Sequence, residues 1–574
     1  MQAMVKLVSI GALCGVLAIE SRAQTNPFCR MTRDCVSSGG VLANAQSVTP
    51  EVSRDGRWLL FTSAANNLVA NDTNGTADLF LRDRVAGATT RVNVRSNGAQ
   101  VSGAVFNPKI TPDGRFVCYC TQATVVLPDS NGRIDVFVLD RNTGLVTRES
   151  DSFLGAGSNG HSSSIAITPD GRYVLFSSDA SNLVPGDADA TTDAFLRDRL
   201  LGTTTCISTA GAFPLGGYPG GISDDGRLIV FSSTASTLVP NDTNLHRDIF
   251  LFDAVTQQVT RISVDSQAQE ADDDSQGPLM AADGHSVLFQ SRASNLVPGD
   301  VHATWDMFRL DLITGAMTRL LIGTTGLEPA LGSEPSLSGD GRFLGLVSAN
   351  PNLVPNDTNG RSDVFVVDVI TCAVTLRSPA ILGGSANADS FNRCTVSDDA
   401  AVVVFESDAS NLVANDTNSL KEIFTHDAQP PPLVYCTAKT NSLGCVPSIS
   451  WTGSLRVGSA TPFSVTASQL LNNKSALFAY SIVGRAAIPF QAGTLCVQPP
   501  LVRIPVSNSG GSAAPIADCS GTLSIDFAAV VASGVYPSLT VGQGVWAMFW
   551  SRDPGFAEPD NTNLTDGLEF ALLP

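Results

Sequence analysis

Seven times along this chain an aspartate is followed two residues later by Asn, Asp or His, and six residues later by a second carboxylate. The copies are Asp72/Asn74/Asp78, Asp129/Asn131/Asp135, Asp187/Asp189/Asp193, Asp242/Asn244/Asp248, Asp300/His302/Asp306, Asp357/Asn359/Asp363 and Asp416/Asn418/Glu422. A hard cation such as calcium wants several oxygens converging on a tight turn, and Gly75, Gly132 and Gly360 at the fourth position allow one. The first, second and sixth copies are therefore the expected calcium ligands: Asp72, Asn74, Asp78, Asp129, Asn131, Asp135, Asp357, Asn359 and Asp363. The pattern lacks the later glycine and the bidentate glutamate of an EF-hand loop. The same residues also suit Asx-type turns, with the last aspartate anchoring a strand by hydrogen bonds. The sequence leaves both readings open.

Other chemistry is sparse. There is no Gly-x-Ser-x-Gly elbow, no His-Glu-x-x-His and no phosphate loop. Five histidines (His161, His246, His285, His302 and His426) stand at non-equivalent places in the repeats. Of these, His161, His246 and His302 could approach one another across a ring. No catalytic residue and no organic cofactor is assigned.

The elements that must position the acidic loops repeat with them. An Asp-Gly turn before an apolar strand recurs at Asp55, Asp113, Asp170, Asp225, Asp283 and Asp340, with a degenerate Asp399-Ala400, spaced 55 to 59 residues apart. A second strand of the form Asp-φ-Phe-x-x-Asp follows each acidic loop and places Phe80, Phe137, Phe195, Phe250, Phe308, Phe365 and Phe424 in register. A Thr-Arg strand (Thr90-Arg91, Thr147-Arg148, Thr260-Arg261, Thr318-Arg319) finishes most units. Four short strands per unit predict a propeller blade, and one blade alone cannot bury both faces. The expected fold is all-β: a seven-bladed β-propeller with repeats starting near 47, 105, 162, 217, 275, 332 and 391, followed by a β-sandwich. Repeat seven has no outer strand of its own. Arg33 lies as far upstream of Asp55 as Arg91 does of Asp113, so an N-terminal strand should complete the last blade.

Composition narrows the function classes. The chain has 574 residues, 43% hydrophobic and 16% charged, which fits a folded protein. A net charge of −19 argues against a nucleic-acid partner, which would demand basic stripes. Residues 1–23 read as a secretory leader, with Lys6, an apolar run from Leu7 to Ile19 and a small-residue cleavage site. No later stretch is apolar enough to span a membrane. Export would place eleven cysteines where disulfides persist. Sequence neighbours suggest Cys29–Cys35, Cys436–Cys445 and Cys496–Cys519, and more weakly Cys372–Cys394. The expected domains are 24–429 for the propeller, 430–433 for a proline-rich linker and 434–574 for the sandwich.

Thr111-Pro-Asp-Gly-Arg115 and Thr168-Pro-Asp-Gly-Arg172, with the φ-φ-φ-Phe-x-Ser and Asp-φ-Phe strands, resemble the WD40-like (PD40) repeats of TolB-type bacterial propellers. The resemblance covers about residues 30–429. It implies a TolB-like fold, but TolB has six blades after an α/β domain, whereas seven repeats stand here. The segment from Tyr435 to Cys445, with Trp550 to Pro554, is similar to a C-terminal module of other exported bacterial proteins. The expected function is that of an exported binding or scaffold protein that uses the acidic loop face, its partner a protein or a surface glycan. The alternatives are a metal-dependent, lyase-like carbohydrate-active enzyme and a Tol–Pal-like envelope partner.

Overall fold

The computed structural model describes residues 30–574, apart from 128–130, 188–190, 211–212, 215, 301–303, 321–334, 356, 382–383, 429–431, 454–462, 514–515, 537–538, 540–543 and 573–574. The expected leader, Cys29, Asp129, Asp189 and His302 lie outside the described residues. Residues 31–427 and 428–574 form two compact units.

Among its described residues the first unit has seven four-stranded antiparallel sheets and a short two-stranded one, Thr209–Ala210 with Phe213–Pro214. Blade one runs Ser47–Val52, Trp58–Ser63, Asp78–Asp83 and Ala88–Arg91, in that order from one edge to the other. The first strands pack on one another in succession: Ser47–Val52 on Val105–Ile110, then Ser162–Ile167, Tyr218–Ile222, Ser275–Met280, Ser336–Leu337 and Ser390–Val396, which packs back on Ser47–Val52. They surround the axis of the ring. Blade seven draws its outer strand from the other end of the chain, because Arg30–Arg33 pairs with Glu422–Asp427. The backbone N–H of Asp34 donates to Ile423, and Arg33 pairs with both Asp416 and Glu422. The expected closure of the ring is present.

The core lies between blades. Phe61 stacks on Phe80, Phe176 on Phe195, Phe231 on Phe250 and Phe289 on Phe308, with ring centroids 5.4 to 5.8 Å apart. Blade six replaces the first partner by Leu346, opposite Phe365. Fully buried aromatic side chains contribute on the order of 2 kcal/mol each by burial alone. The Asp-Gly turns belong to this packing. In blade two the Thr111 hydroxyl donates to Asp113 and accepts from the N–H of Phe116, while Arg115 forms a fork onto Asp140. Gly114 is needed twice over, since its φ is +72° and an added Cβ would strike the Trp58 ring of blade one.

Chain direction fixes the faces. Strand two ends where strand three begins, Ser63 opposite Asp78, so the acidic loops and the inter-blade connectors emerge together, and the Asp-Gly turns lie on the opposite face.

The second unit packs a sheet of Leu433–Tyr435, Gly567–Ala571, Gly544–Arg552, Ser475–Ser481 and Val502–Asn508 against one of Ser448–Thr452, Ser464–Leu470 and Gly521–Asp526. Phe463, Val465, Phe478, Tyr480, Phe549 and Phe570 fill the space between them. Its disulfides are Cys436–Cys496 and Cys445–Cys519, which corrects the pairing by sequence neighbours. In a sandwich the strands adjacent in space come from distant sequence, and the two bridges span 60 and 74 residues. Cys35 and Cys394 are buried thiols, both pushed up to about 12 by burial. The expected Cys372–Cys394 bridge does not form, and Cys29, the partner expected for Cys35, lies outside the described residues. No helix among the described residues is long and apolar enough to cross a membrane.

Candidate binding face

Four of the acidic loops are held from two sides. Asn74 donates to the carboxylate of Asp78 at 2.9 Å and to the carbonyl of Val101 at 2.9 Å. Asn131 does the same for Asp135 and Ser158, Asn244 for Asp248 and Ala271, and Asn359 for Asp363 and Ala386. The third position therefore ties the loop to the connector that follows. The seventh position is buried and accepts from the residue two past the end of the outer strand: Asn93 on Asp78, Ser150 on Asp135, Ser263 on Asp248 and Ser378 on Asp363.

A guanidinium supplies positive charge to four of the loops. Arg91 reaches Asp72 at 3.4 Å and Asp78 at 3.2 Å. Arg261 does so for Asp242 and Asp248, Arg319 for Asp300 and Asp306, and Arg33 for Asp416 and Glu422. The arginine ends the outer strand opposite the invariant phenylalanine, as in Arg91 opposite Phe80. Sequence reading took this Thr-Arg dipeptide as a strand ending only. Blades three and six differ, because Cys206 faces Phe195 and Leu376 faces Phe365. In blade six Asp357 and Asp363 are both buried, and burial first of all holds both carboxyls above their ordinary range. Asp357 accepts from Ser385 at 3.5 Å.

The expected ligands thus separate. Asp72, Asn74 and Asp78 meet around Arg91; Asn131 and Asp135 meet each other, and Asp129 lies outside the described residues. Asp357, Asn359 and Asp363 come together where the arginine of the other blades is replaced by Leu376.

The Asp-Gly turns are tied to one another across and around the ring. Arg54 of blade one reaches across to Asp224 of blade four at 2.7 Å. Backbone bonds run around the same level from Asp224 to Ala282, Ala282 to Gly339 and Asp398 to Arg54, and the Asp398 carboxylate accepts from the N–H of Gly339. Between the inner strands, Glu51 pairs with Arg393 at 2.6 Å and Lys109 at 3.5 Å.

The loop-face mouth is built differently. Phe106, Tyr218 and Phe391 occupy one level of their inner strands, each opposite the residue that follows the buried aromatic of strand two: Cys120, Ser232 and Glu406. Phe106 and Tyr218 are 43% and 55% exposed, too much for core residues. Between blades two and three a cavity of about 330 Å³ is lined by Phe106, Asn107, His161, Ser163, Ser177 and Asp179, among others. His161 accepts the N–H of Ile134 at Nδ1, and Arg133 lies 3.3 Å from its Nε2. Asn107 donates to Ser163 across the blade boundary. These mouth aromatics were not singled out from the sequence; aligning the repeats at the inner strand would have exposed them.

No family model and no curated protein matches the chain. Solved structures similar to it include the oligogalacturonate lyase of Vibrio parahaemolyticus, 13% identical over 69% of this chain and 93% of that one, with a TM-score of 0.43. A TolB of Agrobacterium tumefaciens is 18% identical over 53% of this chain and 89% of that one, at 0.31. The β-propeller domain of the Trilobed protease of Pyrococcus furiosus is 11% identical over 67% and 95%, at 0.41. Identity to all three is low, and the fold assignment of this chain rests on its own sheets.

Proposed function

We propose that the chain is an exported, non-catalytic binding protein that receives a surface glycan at the loop-face mouth of its propeller. The observation that carries this reading is the mouth cavity, where an exposed aromatic ring stands over serine hydroxyls and a carboxamide. That combination suits a saccharide, whose C–H faces stack on aromatics while its hydroxyls exchange hydrogen bonds. The girdle around Arg54 supports entry from the loop face. Two disulfides in the second unit support export. The test is a glycan array probed with the mature chain. Phe106→Ala and Tyr218→Ala are expected to lower retention about tenfold or more without moving the thermal midpoint. Retention unchanged in both variants would overturn the reading.

The lyase-like alternative draws on His161, whose ring faces the cavity beside Asp179. New reducing ends released from a retained glycan, and lost in His161→Ala, would replace binding by catalysis.

Calcium belongs, on this reading, to blade six. There the cation takes the place that Arg91 holds in blade one, between Asp357 and Asp363 with Asn359 alongside. In blade one it would have to displace a guanidinium. Calcium against excess chelator is expected to raise the thermal midpoint by mass action. Asp357→Asn should abolish that shift and Asp72→Asn should leave it. A shift lost only in Asp72→Asn would reverse the assignment.

A further inference from the structure

The seam between blades four and five carries a second arrangement. In blades two, four and six, the fifth residue of the acidic loop stands beside the residue that precedes the next inner strand. Blade six sets Arg361 against Asp389 at 3.4 Å, and blade two sets Arg133 against His161 at 3.3 Å. Blade four has lost the arginine. His246 stands in its place, its Nδ1 3.4 Å from Asp274 and 3.9 Å from Asp273. One ligand atom from each of the three residues lies within 4.8 Å of the others.

The run Asp272-Asp273-Asp274 divides by role. Asp272 accepts from the N–H and hydroxyl of Ser294, a cap that Asn159 provides for Ser181 and Asn387 for Ser410. It is part of the repeat. At the next two places the other seams have Gly160-His161 and Ala388-Asp389, so the adjacent carboxylates are particular to this seam. Both are oriented by backbone: Asp274 accepts from the N–H of Arg247 at 2.8 Å, and Asp273 from the N–H of Asp274 at 2.7 Å. Each N–H bonds the same carboxylate oxygen that faces His246, using one of its lone pairs and holding that oxygen towards the ring. Arg292 approaches Asp273 at 4.0 Å, but on the other carboxylate oxygen from the one that faces His246.

The structure assigns to His246, Asp273 and Asp274 a site for a divalent transition-metal ion of the zinc class. Bonds of about 2.0–2.2 Å in tetrahedral geometry place ligand atoms roughly 3.4 Å apart. The two imidazole–carboxylate spacings need only a small contraction to reach that. Imidazole selects such ions over calcium, and all three side chains are half-exposed, which leaves a coordination position for water. The ion does for this seam what Arg361 does for blade six: it neutralises carboxylates and joins a loop to the next blade.

The experiment is calorimetric titration of the full mature chain with zinc chloride alone, and with calcium chloride as the second arm. Wild type is expected to bind zinc at least about tenfold more tightly than His246→Ala or Asp273→Asn. Calcium should neither bind there nor compete. His246→Arg, which restores the pairing of blade six, should lose zinc binding and keep its thermal midpoint, which guards against a folding defect. Asp357→Asn should leave zinc affinity intact, so the outcome is separate from the calcium reading. Equal zinc affinity in wild type and His246→Ala, or no binding in wild type, would overturn the assignment.

Discussion

Two buried titratable groups pull stability in opposite directions over one pH range. Asp306 is pushed up to about 6, first by burial and then by the charge of Asp300. Five other blades set a hydroxyl or amide against this carboxylate, as Ser263 does for Asp248, whereas the blade-five position is Leu321 in the sequence. Folding therefore favours protonated Asp306, a contribution complete below the unfolded value of 3.8 and lost as pH rises through about 6. Asp306→Asn should gain stability relative to wild type as pH climbs through that window, with Arg319 still held by Asp300 at 2.8 Å. His426 is the reverse case, driven down to about 3 by burial and then by Arg377. Its contribution is present above 6.5 and lost as pH falls towards about 3, so His426→Gln should tolerate acid better than wild type. Thermal midpoints of both variants across this range check each sign. Parallel curves with wild type would refute the assignments. Neither group was legible in the sequence, because burial and the neighbouring charge decide them, and residue type does not.

At the scale of elements, the acidic loop and the outer strand make one unit. Removing one partner of a buried ion pair leaves an uncompensated charge, at a cost of about 3–5 kcal/mol. Arg91→Ala strands Asp72 and Asp78 together, and its unfolding free energy from urea melts should fall by that order; Arg91→Lys should recover part of it. A loss below about 1 kcal/mol would place the pair among weakly contributing surface contacts. The strands themselves were legible. Asp-Gly turns, alternating apolar residues and the recurring phenylalanine give seven blades and the closing strand without any structure. The clamp was not, although Thr90-Arg91 was seen, because Arg91 lies 13 residues from Asp78 along the chain and meets it only across an antiparallel pair. Disulfides failed for the same reason. Cys436 and Cys445 are neighbours in sequence, yet each bonds to a segment placed beside it by the sandwich.

At the scale of the molecule, the ring is closed by a contact between residues nearly four hundred positions apart, so its loss should be felt differently from that of any local pair. Arg33 holds the blade-seven loop, Asp34 takes the hydroxyl of Thr425, and Arg84 of blade one bridges Asp34 and Asp427. The junction thus joins both ends of the first unit to blade one. Arg33→Ala and Arg91→Ala remove the same clamp chemistry, one at the closure and one within a continuous blade. If closure makes the blades cooperative, Arg33→Ala with Asp34→Ala should split or broaden the calorimetric transition, while Arg91→Ala shifts a single sharp one. Weakening the closing strand also uncovers the Glu422–Asp427 edge, and unpaired edges associate. The closure variant should therefore show concentration-dependent dimers by light scattering. Equal, sharp and monomeric behaviour of the two variants would mean that blade-to-blade packing alone holds the ring, with the terminal strand one contact among many.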